Sequence, residues 1–283
     1  MNLKLTVPTP LDYFSSLVAS DRAFPLLEAA ASLAQDDYPE LSVQNVLNDM
    51  DHLLARVIRH LPKDADALTR LKVLNRVMYR DLGFAGNFNN YGDPDNSYLH
   101  CVLKTRLGIP VSVAVIWLDL ARGLGLEAYG LSFPGHFLVK VLVNEGQVVI
   151  DPLSGQSLSQ ESLVEMLENF VDTVQAQDSL SMRLAPYLQA ASPRGILARM
   201  LRNLKEIHAA EEDWFRLLAV EDRLLVLLPR AWQEYRDRGM ALAEAGFPDR
   251  AVRDLDTYLA HAGPAPDRNA IAMRAEQLRR TTH

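Results

Sequence analysis

NSYLHCVLKTRLGIPVSVAVIWLDLARGLGLEAYGLSFPGHFLVKVLVNEGQVVIDP, residues 96–152, changes its hydrophobic period partway along. Up to about Gly125, apolar residues recur at three- and four-residue spacing, the mark of helices, over 97–107 and 111–125. Gly108-Ile109-Pro110 separates the two helices. The glycine suits the left-handed end of the first, and Pro110 suits the first turn of the second. From 127 the pattern is that of strands: EAYGLSF (127–133), then a hairpin over 134–152 turning at Asn144-Glu145-Gly146. Helices followed by a small antiparallel sheet predict an α+β domain.

Upstream, 26–35, 43–61 and 64–82 continue the helical spacing. Between them and the opening stretch lies GFAGNFNNYGDPDNS (83–97), too long and polar for a mere connector and read as a structured loop. Asn96 and Ser97 are placed to cap the helix that carries Cys101. Tyr91, Asp93 and Asp95 either line a cleft or decorate the surface. DPDNS lacks the glycine and distal glutamate of a calcium loop, so no metal is expected. No glycine-rich phosphate loop is present, and no cofactor is expected.

Downstream, from about Ala191, the pattern is wholly helical. Residues 196–230 and 231–266 align at a period of about 34, and Pro229 and Pro264 close the two units. Gly239, Gly246, Ala251, Leu255 and Tyr258 fall where small and apolar residues let paired helices pack, and Trp214 and Trp232 are expected to pack between helices. This resembles tetratricopeptide repeats; the plainer alternative is a four-helix appendage. Two domains are expected, at 1–185 and 190–283.

The 283 residues, 48% of them hydrophobic, suffice for proper cores. A net charge of −7 argues against an electrostatic nucleic-acid binder. Cys101 is the single cysteine, which excludes an intramolecular disulfide and a thiolate-rich metal site. Apolar runs such as VSVAVIW (111–117) are too short to span a bilayer, and MNLKLTVPTPLDYF lacks the apolar run of a signal peptide. No membrane association is expected, and a reducing, cytoplasmic location is.

His136 and Asp151 flank the hairpin. A neutral histidine can take a nucleophile's proton, and a carboxylate on its other nitrogen fixes the tautomer. The bland reading is a packed histidine beside a solvated turn. A two-residue turn at Glu145-Gly146 would pair Lys140 with Asp151, leaving His136 four residues, or about 13 Å, along the strand.

Residues 96–140 with IDPLSG (150–155) resemble the transglutaminase-like superfamily, and more closely its bacterial SirB-type branch, which adds C-terminal tetratricopeptide repeats. NSYL, GIPVSV, PGHFLVK and IDP carry the resemblance, which extends over about 10–266. It implies a papain-like fold in which a cysteine at the start of a central helix attacks an amide carbonyl. A histidine on a strand acts as base, and an aspartate on the next strand orients it. His136 and Asp151 match the last two positions. The first turn of the helix reads Pro110-Val111-Ser112, with no cysteine. Ser112 is then either a hydroxyl activated by His136 or a helix-start residue. Cys101, among Tyr98, Leu99, Val102 and Leu103, reads as a small buried hydrophobe and less readily as a substitute nucleophile. His100 is expected on another side of the helix from it. The Asn96 amide is a candidate oxyanion donor.

The leading expectation is a regulatory or interaction protein with a degenerate cysteine-hydrolase site and a peptide or protein partner on its repeats. The alternative is an active amide hydrolase or acyl transferase using Ser112, or less readily Cys101, with His136 and Asp151. A third possibility is a cleft that holds an amide-bearing ligand without turning it over.

Overall fold

A computed structural model of the chain describes residues 8–144, 146–170 and 179–281. The elements in chain order are α1 (Pro10–Leu17), α2 (Leu26–Ser32), α3 (Val43–Ile58), α4 (Ala67–Asn75), β1 (Ala85–Gly86), α5 (Leu99–Thr105), β2 (Leu107–Gly108) and α6 (Pro110–Gly123). They continue as β3 (Ala128–Leu131), β4 (Leu138–Val143), β5 (Gly146–Ile150), β6 (Ser157–Leu158), α7 (Gln160–Glu168) and α8 (Leu180–Leu184). Helices α9 (Pro193–Ala210), α10 (Trp214–Leu227), α11 (Trp232–Glu244), α12 (Pro248–His261) and α13 (Arg268–Thr281) follow. Among the described residues no helix is long and apolar enough to cross a membrane.

The chain divides into two compact units. One comprises Leu26–Ala31 and Leu41–Leu197; the other comprises the chain up to Pro25, Ser32–Glu40 and Ala198 onward.

The first unit is built around α6. Pro110 starts this helix, and every residue from Pro110 to Leu118 is buried. A helix that is apolar all round belongs in a core, and α6 packs against α3, α4, α5, β3 and β4. The sheet is antiparallel in the order β3-β4-β5-β6. Its Leu131, Leu138 and Val149 pack with Leu163, Val164 and Leu167 of α7 and Leu184 of α8. The unit is therefore α+β, as expected.

Three local expectations are corrected. The left-handed residue ending α5 is Arg106, at φ 64°, not Gly108. Gly108 instead lies in β2, parallel to β1, where a Cβ would meet Ser112 Oγ at 2.8 Å and Val113 at 3.0 Å, so packing rather than backbone conformation demands the glycine. The helical pattern over 64–82 is interrupted: α4 gives way to a π-helical turn at Arg76–Asp81, a feature often found beside functional sites. The β4–β5 register pairs Lys140 with Val149 and Val143 with Gly146. The connection is therefore Asn144-Glu145, one residue earlier than expected; Glu145 itself lies outside the described residues.

The second unit is helical. Helices α10 to α13 pack in succession, each on the next. Ala251, Leu255 and Tyr258 are buried between them, and Trp214 and Trp232 pack at the edge of the same cluster. At Gly239, a Cβ would meet Leu255 at 2.7 Å and the Ala251 carbonyl at 3.2 Å, the close helix approach expected of a repeat pair. Helix α1 packs on α10, with the Arg223 guanidinium 5.7 Å from the Phe14 ring centre.

Candidate active site

His136 stands two residues before β4, in a turn made by Phe133-Pro134-Gly135-His136. The His136 N–H donates to the Phe133 carbonyl at 3.1 Å, and Gly135 has φ 67°. Proline at the second place and a positive-φ glycine at the third are the signature of a type II turn. Asp151 is the first residue after β5 and opens a second tight turn, its carbonyl accepting from the Gly155 N–H at 2.8 Å. The observed register decides the site. Extending it by one pair sets Asp151 opposite Leu138, two residues from His136 rather than four. His136 Nε2 meets Asp151 Oδ1 at 3.1 Å.

Asp151 is held on all sides. Its Oδ1 also accepts from the Leu153 N–H at 3.0 Å, and its Oδ2 accepts from the Ser154 hydroxyl at 2.9 Å. Burial pushes this carboxyl up, but the hydrogen bonds from His136, Leu153 and Ser154 outweigh it and hold the group below its ordinary value. It is therefore a carboxylate at neutral pH, able to orient the imidazole and stabilise its cation.

Residues outside the sequence reading hold the turn itself. The Tyr79 hydroxyl donates to the Pro152 carbonyl at 2.9 Å, and Asn75 Nδ2 donates to the Gly155 carbonyl at 3.0 Å. Asn75 Oδ1 in turn accepts from Trp117 Nε1 on α6 at 2.9 Å. Burial, then the nearby Asp151 charge, raises the Tyr79 hydroxyl, which stays a neutral donor. The Tyr79 ring lies where a Gly155 Cβ would be, 2.2 Å from its nearest atom, and Gly155 has φ 71°. The one sequence signal for this support was Asn75, a polar residue amid the apolar spacing of 64–82.

The remaining predicted residues lie in other networks. Ser112 is fully buried; its hydroxyl donates to the Asn96 carbonyl at 2.6 Å and accepts from the Ile109 N–H at 3.1 Å. It bonds neither His136 nor Asp151. Asn96 does not cap α5, whose N-cap is Tyr98. Its side chain accepts from Asn87 at 2.9 Å and donates to the Asn90 carbonyl at 2.6 Å, tying the 83–97 loop together. The Asn96 amide is thus committed within that loop. Cys101 is half-buried rather than interior. His100 reaches it after all, with Nε2 3.2 Å from the Cys101 sulfur, and burial lowers the His100 imidazole.

Residues 44–202 match the transglutaminase-like superfamily, and residues 204–276 match the tetratricopeptide repeat. A UPF0162 protein of Xylella fastidiosa (strain Temecula1) is 37% identical over 244 residues, 84% of each chain. A UPF0162 protein of Pseudomonas aeruginosa is 28% identical over 253 residues, covering 89% of this chain and 90% of its own. One of Vibrio cholerae is 28% identical over 257 residues, 90% of this chain and 93% of its own. No solved structure matches the chain. The α+β unit built on helix α6 and the helical unit that follows agree with these two matched regions: the chain belongs to the transglutaminase-like superfamily, in its UPF0162 family of SirB-type proteins with a C-terminal tetratricopeptide region.

Proposed function

We propose that this is a cytoplasmic regulatory or interaction protein, with a transglutaminase-like frame that has lost its nucleophile and a repeat region that holds a peptide or protein partner. The observation that carries the reading is Ser112. It occupies the helix start where the superfamily resemblance calls for a cysteine. Its hydroxyl is fully buried, and its proton is directed to backbone carbonyls, Asn96 at 2.6 Å and Ile109 at 3.1 Å. A hydroxyl so placed has neither access to a substrate nor a base to activate it. The His136–Asp151 pair suits binding as well as catalysis. The ring is 22% exposed, and its Nδ1 makes no hydrogen bond among the described residues, leaving that atom for a ligand's amide group. In the repeat region, helix pairs of this kind present surfaces suited to peptides.

The test is amide turnover. Ammonia release from glutamine-containing peptides, with and without a primary amine acceptor, is compared between the wild type and His136→Ala. The reading predicts equal, background rates. Release that depends on His136 would overturn it in favour of an amide hydrolase or acyl transferase.

A further inference from the structure

A cavity of about 690 Å³ within the α+β unit has Tyr79 and Gly155 in its wall. Its floor is apolar, formed by Leu68, Leu71 and Ile150. Lys72, Arg76 and Arg80 stand on its rim, four residues apart along α4 and the π-helical turn. Spacing of four sets side chains on one helical face.

The charge there is only partly compensated: Asp66 attracts Lys72 electrostatically, and Asp81 stands near Arg76. Among the described residues no aspartate or glutamate lines the cavity. Of the three cations only Arg76 has a carboxylate within 4.0 Å among the described residues, Asp81, and at 3.9 Å that contact is loose. In a chain of net charge −7, three cations facing one concavity make a local positive field that concentrates anions. Guanidinium groups offer paired N–H donors matched to oxyanions. A volume of this size suits a small organic molecule. A phosphate dianion answers three cations better than a single carboxylate charge does, and the Leu68–Leu71–Ile150 floor asks for an apolar body.

We infer that this cavity is a binding site for a small phosphate monoester with an apolar body, its phosphate held by Lys72, Arg76 and Arg80. The site is distinct from the His136–Asp151 pair, and the inference does not depend on how that pair is used. The Asn75 and Gly155 walls also hold the Asp151 turn, so an occupant touches the residues that position the carboxylate.

Isothermal titration of the full chain with hexyl phosphate tests this, with inorganic phosphate, hexanoate and hexanol as separate probes. Hexyl phosphate should bind at least about tenfold more tightly than each of the other three, and the double variant Arg76→Gln/Arg80→Gln should weaken it about tenfold or more. Circular dichroism establishes that the variant is folded, and Lys72→Gln serves as a second, milder variant. Four results would overturn the inference: no binding of hexyl phosphate; hexanol or hexanoate binding equally well; inorganic phosphate binding as tightly as the ester; or unchanged affinity in the folded variants.

Discussion

Asp151 is the residue on which the site turns, because three donors converge on its carboxylate. Its folded-state pKa is depressed, so its contribution to stability is present above the ordinary carboxylate value of 3.8 and is lost as pH falls through the lower folded value. Asp151→Asn removes the charge that those donors share. It should lower unfolding free energy by about 1–2 kcal/mol at pH 7, and the gap to the wild type should narrow as pH falls below 3.8. Urea denaturation at pH 7 and pH 3 measures both. A constant gap across that range would show that the carboxylate is not the acceptor described. The identity of this pair was legible in the sequence through the hairpin and the family resemblance. Its contact was not, because strand arithmetic depends on where a turn starts, and Glu145-Gly146 and Asn144-Glu145 read equally well. Shifting the turn by one residue moves the partner by two. Ser112 shows the opposite limit: its position on α6 was plain, but its fate depends on the Asn96 carbonyl, sixteen residues away.

Among elements, the π-helical turn Arg76–Asp81 was the least legible, since hydrophobic spacing cannot separate it from the α-helix that precedes it. Yet this turn carries Tyr79 to the Pro152 carbonyl. The repeat helices were more readable, because small residues at helix crossings have a direct packing cause. Gly239 faces Leu255 and the Ala251 carbonyl so closely that an added methyl forces the buried Leu255 side chain to shift and crowds the Ala251 carbonyl. Gly239→Ala gains helix propensity worth up to about 1 kcal/mol, against an overpacking cost of about 1–3 kcal/mol. Net destabilisation is expected, read as a lower thermal midpoint. An unchanged or raised midpoint would mean that the two helices are not in the close contact described.

Across the whole molecule, the acidic balance is distributed unevenly. The cavity rim at Lys72, Arg76 and Arg80 is basic, whereas Lys205 in the repeat region faces Glu234 and Asp237 at 2.6 Å each and Glu221 at 3.6 Å. Arg202 also bonds Glu234 and Arg236 also bonds Asp237, so Glu221, which among the described residues has only Lys205 at 3.6 Å, is the least answered of the three. Burial drives Glu221 up to about 8, despite the attraction of Lys205. A carboxyl with a raised folded pKa binds its proton more tightly folded than unfolded, so stability declines as pH climbs from its ordinary value of 4.5 towards about 8. The slope approaches at most about 1.4 kcal/mol per pH unit. Glu221→Gln should flatten this decline in thermal midpoint between pH 5 and pH 8, and an unaltered slope would contradict it. The central claim, however, concerns the missing nucleophile. Its most direct test is intact-mass and peptide mapping of the protein after exposure to a fluorophosphonate and to chloroacetamide, in wild type and His136→Ala. The account predicts no adduct at Ser112, and at Cys101 only labelling that is the same in both proteins. An adduct at either residue that disappears with His136 would mean that a working nucleophile–histidine–aspartate site exists after all.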